Sequence, residues 1–64
     1  MVTNNIKKYR TERHILQSDL AIELNCDKQT ISRYETGQRE PSLEMALRLA
    51  KFFNVSTEEL FSLE

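Results

Sequence analysis

The stretch 17–35, QSDLAIELNCDKQTISRYE, constrains the fold more than any other part of the chain. Leu20, Ala21 and Leu24 recur at i, i+1, i+4, and Ile31, Tyr34 and Glu35 at i, i+3, i+4. Those spacings give two short helices one inward face each. Between them, Asn25-Cys26-Asp27 reads as a tight turn. Asn tolerates a left-handed backbone and can end the first helix, and Asp27 can accept the free N–H groups that open the second. The outer side of that second helix then carries Lys28, Gln29, Ser32 and Arg33. Four hydrogen-bonding side chains near a helix N-terminus are what a helix needs to read base edges in a DNA major groove, so double-stranded DNA is the predicted partner.

The remaining composition narrows the setting. A chain of 64 residues is long enough for one domain, 1–64, and not two. At this size only about 60% of the unfolded surface is buried, so stability must come from close helix packing, helped by association. One Cys forms no internal disulfide, and no Cys/His cluster offers a zinc site, so neither metal nor cofactor is expected. A lone thiol suits a reducing cytosol, and residues 1–5 lack the apolar run of a signal peptide. No segment approaches the roughly 20 apolar residues of a membrane span. The expected location is therefore cytoplasmic, in a bacterial or phage-encoded protein that joins the nucleoid when bound to DNA. One Gly and one Pro leave little room for sheet turns, and residues of high helix propensity dominate, which predicts an all-α domain.

The net charge of −1 does not suit nucleic acid, but its distribution does. Residues 1–40 hold seven Lys/Arg against six Asp/Glu, and residues 41–64 two against four. Positive surface is thus confined to the N-terminal part, and local potential decides binding. Non-specific DNA affinity should be weaker than that of a strongly basic protein.

Along the chain, Thr3 is the expected cap of a first helix at about 4–13, with Ile6, Tyr9, Arg10 and Arg13 on one face. An inward arginine needs a partner, because an unpaired buried charge is very costly. Glu35 is the inward carboxylate available, which predicts an Arg10–Glu35 ion pair. His14 is expected at a solvated helix terminus, with Ile15 and Leu16 plugging the core. A second helix spans about 17–24 and a third 28–36, ended by Gly37 as a left-handed cap. Gln17, at the start of the second helix, can bind a DNA phosphate. Gln38-Arg39-Glu40-Pro41 forms a loop whose Gln38 and Arg39 can reach the phosphate backbone. Ser42 caps a fourth helix, 43–53, with two apolar stripes: Leu43, Ala46, Leu47, Ala50 and Phe53 in one, Met45, Leu49 and Phe52 in the other. Ser56-Thr57-Glu58-Glu59 is a capping box opening a last helix at about 57–62, whose apolar residues are Leu60, Phe61 and Leu63, with Val55 just before it as a staple.

These pieces resemble the lambda-repressor-like (Cro/XRE-type) helix-turn-helix domains of phage and bacterial transcription regulators. The matching text is Gln17-x-x-Leu20-Ala21-x-x-Leu24, then Thr30-Ile31-Ser32-Arg33-Tyr34-Glu35-x-Gly37-x-Arg39-x-Pro41-Ser42, then Ala50 and Val55-Ser56-x-x-Glu59-Leu60-Phe61. The resemblance implies a compact five-helix fold whose third helix enters the major groove, and the same Arg10–Glu35 pair. It also implies that Gln17 binds phosphate, that Lys28, Gln29, Ser32 and Arg33 stand at base-reading positions, and that Thr36, Gln38 and Arg39 clamp the backbone. Four positions depart from the family pattern. Asn25 and His14 stand where Gly is usual. Cys26 replaces a small or β-branched apolar residue, which predicts a buried, inert thiol. Leu16 replaces a Ser or Thr cap, a loss of about 1 kcal/mol.

The function expected is that of a sequence-specific DNA-binding transcriptional regulator, a repressor, reading a palindromic operator. Arg33 can donate two hydrogen bonds to a guanine, Gln29 can pair with an adenine edge, and Lys28 can take a guanine or a phosphate. One module contacts few base pairs, so a homodimer is expected, through the last helix and the second stripe of the fourth: Met45, Leu49, Phe52, Val55 and Phe61. The alternative is a protein–protein interaction module that keeps the fold without specific DNA binding. An enzyme is not expected: the carboxylates are scattered, the one His has no nearby nucleophile, no Gly-rich phosphate loop exists, and no small-molecule pocket is foreseen.

Overall fold

The computed structural model describes residues 2–63. Met1 and Glu64, the two ends of the 1–64 domain reading, lie outside the described residues. Five helices follow one another, α1 (Ile6–Glu12), α2 (Gln17–Glu23), α3 (Lys28–Thr36), α4 (Leu43–Phe53) and α5 (Thr57–Leu60), and two short strands, β1 (Val2–Asn4) and β2 (Phe61–Leu63), bracket them. All five helices send side chains into one core of Ile6, Leu20, Ala21, Leu24, Ile31, Tyr34, Leu49, Ala50, Phe53 and Leu60.

Four helix ends share one stop. His14, Asn25, Gly37 and Asn54 adopt φ of 57°, 56°, 78° and 57°. At each, the left-handed residue donates to the carbonyl three back: His14 to Thr11, Asn25 to Ile22, Gly37 to Tyr34 and Asn54 to Lys51. The next residue donates to the carbonyl five back: Ile15 to Arg10, Cys26 to Ala21, Gln38 to Arg33 and Val55 to Ala50. This paired closure is the Schellman motif, which satisfies the carbonyls a helix end leaves free. It also explains Ile15, Cys26 and Val55, which turn inward behind the stop and pack against the core. With a single Gly in the chain, three of these stops fall to His and Asn, the residues that best tolerate that conformation after Gly.

The helix starts are side-chain caps where the sequence provides them. Asp27 Oδ1 accepts from the Thr30 N–H at 2.8 Å and the Thr30 hydroxyl at 2.6 Å. Ser42 Oγ accepts from the Met45 N–H at 3.1 Å. Ser56 and Glu59 make the reciprocal capping box. Leu16, before α2, offers no side-chain cap.

Thr3 does not cap α1. It sits in β1, which pairs antiparallel with β2 in the register Val2–Leu63, Thr3–Ser62, Asn4–Phe61. The helix instead begins at Ile6, whose N–H is accepted by Asn4 Oδ1 at 3.1 Å. Asn4 also donates to the Tyr34 carbonyl at 2.9 Å, and Asn5 to the Glu59 carbonyl at 3.1 Å, so the ribbon is tied to α3 and α5. α5 stops at Leu60 because Phe61 turns extended to join the ribbon. The all-α architecture therefore carries one small sheet joining its first and last described segments.

The faces of α4 also differ from the expected stripes. Leu43 and Leu47 are 77% and 53% exposed, whereas Leu49 is fully buried with Ala50 and Phe53. At about 100° per residue, Leu47 lies about 160° around the helix from Leu49, so the two cannot both face the core. Leu49 is spent on the domain's own interior and has no surface to give a second copy.

Candidate nucleic-acid interface

α3 is held by its inner side. Ile31 and Tyr34 are buried, while Lys28, Gln29, Arg33 and Thr36 are exposed and Ser32 is half-buried. The Asp27 cap fixes one end and Gly37 the other. A cap of this kind is strongest when ionised, and hydrogen bonds from the Thr30 side chain and backbone hold the Asp27 carboxyl below its ordinary value. Because its folded value is lowered, this cap contributes fully above the ordinary carboxylate value and is lost only as pH falls through the lower folded one.

Beneath α3 lies a charged cluster. Arg10 Nε donates to Glu35 Oε2 at 2.6 Å and Arg10 Nη2 to Glu35 Oε1 at 3.2 Å, while Arg10 Nη1 donates to the Ile15 carbonyl at 2.9 Å. The two side chains are only 11% and 3% exposed. Among the described residues no buried side-chain nitrogen or oxygen lacks a partner. One guanidinium thus joins α1, the link into α2, and α3. Gln17 extends the cluster: its Nε2 donates to Glu35 Oε1 at 2.9 Å. The amide that opens α2 is therefore anchored from below to the carboxylate under α3, which orients it and leaves its second N–H free.

At the far end of α3, the Arg39 guanidinium stands 6.0 Å from the Tyr34 ring centre, a cation–π distance, and Gln38 is exposed beside it. The Thr36 hydroxyl donates back to the Ser32 and Arg33 carbonyls at 3.1 and 3.3 Å. Cys26, behind the turn, is half-buried, and burial, reinforced by the Asp27 charge, pushes its thiol above the ordinary value. It stays protonated and weakly reactive at neutral pH.

The structure brings Gln17, Lys28, Ser32 and Thr36 to one cleft between α1, α2 and α3, and sets Gln29 and Arg33 on the adjoining open face. Lys7, Leu16 and Ser18 line the same cleft. Lys7 is not among the candidates drawn from sequence. Its signal is the spacing to Arg10: three residues apart on a helix, the two side chains are neighbours. The apolar residues expected at a dimer interface are divided. Met45, Val55 and Phe61 are half-buried against the core, Leu49 is fully buried, and Phe52 is exposed.

A capped helix, packed on its inner side against a second helix across a left-handed turn and bare on its outer side, defines a helix-turn-helix module. The comparisons agree. The family model described as "Helix-turn-helix" matches residues 6–60, and the chain belongs to that family. It is 43% identical over 61 residues to an uncharacterized HTH-type transcriptional regulator of Methanocaldococcus jannaschii, covering 95% of this chain and 92% of that one. It is 37% identical to the transcriptional repressor RstR of the cryptic phage CTXphi from Vibrio cholerae, covering 97% of this chain and 56% of RstR. Among solved structures, the P22 c2 repressor in complex with a synthetic operator superposes with a TM-score of 0.80 at 28% identity, over 84% of this chain and 82% of that one. A candidate DNA-binding protein from Bacteroides fragilis superposes with a TM-score of 0.87 at 31% identity, over 97% of this chain and all of that one. These relatives are transcription regulators and DNA-binding proteins rather than enzymes. No described helix is long and apolar enough to cross a membrane.

Proposed function

We propose that this protein is a sequence-specific transcriptional regulator, acting as a repressor, that lays α3 in the major groove of a palindromic operator. The observation that carries the reading is the exposure of Lys28, Gln29 and Arg33 on a helix whose opposite side, Ile31 and Tyr34, is locked in the core. Arg33 and Gln29 have the donor and acceptor geometry for guanine and adenine edges, with Lys28 and Ser32 beside them. Gln17, Thr36, Gln38 and Arg39 flank the base-reading face and set its register on the phosphates. The likeness to an operator-bound repressor and to RstR supports this assignment.

One α3 spans too few base pairs to define a unique site, so the working unit is a homodimer on half-sites about one helical turn apart. With Leu49 committed to the core, the surface for the second copy lies in the apolar side chains α4 leaves outside. Leu43 and Leu47 are exposed, with Glu44 nearer the start of the helix and Arg48 and Lys51 nearer its end. Two such helices packed antiparallel about a two-fold axis set the acidic end of one against the basic end of the other, as an isologous contact requires. Light scattering at micromolar concentration should give the mass of two chains plus one duplex on a palindromic site. A monomer both free and on that duplex would remove the dimer.

A second reading, a protein-interaction module without specific DNA binding, draws on another face. There Ile22 and Phe52 are 75% and 37% exposed beside Asp19 and Glu23. Complete absence of affinity for any duplex at low salt would select it over the first.

A further inference from the structure

A second groove lies between the outer side of α2, the link before it and the end of α4. Its volume is about 350 Å³, its lining is His14, Ile15, Asp19, Ile22, Glu23 and Phe52, and it shares no residue with the cleft beside α3. Ile15 is half-buried against the core. The Phe52 ring meets the buried Phe53 ring edge-on, with centres 5.2 Å apart, which holds it in place while leaving it exposed to the groove. Asp19, Ile22 and Glu23 stand at i, i+3, i+4 and share one face of α2. The lining thus sets an exposed apolar side chain beside two exposed carboxylates, with no lysine or arginine. Neither carboxylate makes an ion pair among the described residues.

We propose that this groove docks a basic segment of another protein, seating one large apolar side chain between Ile22 and Phe52 with Lys or Arg beside it, facing Asp19 and Glu23. The charge of the rim selects that occupant. Nucleic acid and anionic lipid are both repelled by two free carboxylates. A second copy packed here about a two-fold axis would bring the same carboxylates against each other, and like charges so placed oppose association. The groove also stays open in the dimer described above, because Phe52 lies about 140° around α4 from Leu47. The proposal rests on the protein-interaction reading of this face and names the partner's chemistry. It does not require the loss of duplex binding, since groove and α3 have no side chain in common.

The test is selection of displayed random peptides on the immobilised full chain, after removing those that bind the Ile22→Ser chain. Survivors should carry Lys or Arg beside a Leu, Phe or Trp. Their affinity, measured by fluorescence anisotropy, should fall about two- to tenfold for the double variant Asp19→Asn, Glu23→Gln and lose most of its salt dependence. Thermal unfolding of both variants should be unchanged, because the three positions are exposed. An absence of survivors, survivors without basic residues, or affinity indifferent to the double variant overturns the proposal. A drop in the chain's own solution mass on Ile22→Ser also overturns it, by giving the groove to a second copy. Duplex binding is measured on the same proteins: its absence in the unaltered chain removes the reading of α3, and the peptide result decides the groove by itself.

Discussion

Arg10→Met should destabilise the domain by about 3–5 kcal/mol, the usual cost of leaving one member of a buried ion pair without its partner. The substitution keeps much of the side-chain volume, so the loss is electrostatic and hydrogen-bonding rather than a cavity. It strips Glu35 of two charged hydrogen bonds, leaves its carboxylate with only Gln17, and frees the Ile15 carbonyl. A domain of this length has a total stability of about 3–10 kcal/mol, so the variant should be largely or wholly unfolded at 37 °C. Urea denaturation followed by circular dichroism measures the change. The double substitution Arg10→Met, Glu35→Leu should recover most of the loss, since apolar groups of similar size satisfy a buried site well. A single-variant loss below about 1 kcal/mol would mean that the pair behaves as a solvent-screened surface bridge.

Arg33→Ala should leave the fold unchanged, because the side chain is exposed and hydrogen-bonds nothing through its guanidinium among the described residues. Affinity for the cognate operator should fall by about 1–3 kcal/mol, or about 5- to 150-fold. The loss should be confined to duplexes that carry the base Arg33 reads. Competition binding against a duplex altered at that one position tests it: the unaltered protein discriminates and the variant does not. Equal loss on every duplex would make Arg33 a phosphate contact and move base reading to Gln29 and Lys28.

The parts of the molecule legible in its sequence are those fixed by neighbours within one helical turn. The inward spacing of Leu20, Ala21 and Leu24, the Asp27 and Ser42 caps, the Ser56–Glu59 box and the Gly37 stop each declare themselves within a few residues, and the structure contains all of them. The pairing of Arg10 with Glu35 is legible for another reason. The chain has one inward carboxylate to answer an inward arginine, and the structure joins them.

What the sequence hides depends on distant partners. Val2–Asn4 and Phe61–Leu63 are three residues each, too short to show an alternating pattern, and they find each other only after the helices have brought them together. Thr3 consequently looks like a helix cap and is a strand residue. On α4 so many positions are apolar that its periodicity admits two inward faces. Only the packing of Leu49 and Phe53 against α1 and the rest of the core selects one, turning Leu43 and Leu47 outward and removing Leu49 from any interface. His14 and Asn54 carry left-handed stops that composition alone does not mark, since neither is the glycine that usually signals one. The inward turn of the Gln17 amide is a property of the site itself, set by the lone pairs Arg10 leaves free on Glu35.

That the outer side of α3 reads base sequence is tested most directly by selecting bound duplexes from a random pool with the intact chain. Enrichment of an inverted repeat is expected, with half-sites centred about 10 base pairs apart or a multiple of that spacing, and with guanine or adenine at the positions Arg33 and Gln29 reach. A pool that stays random after repeated rounds at low salt would contradict the assignment of α3 to the groove.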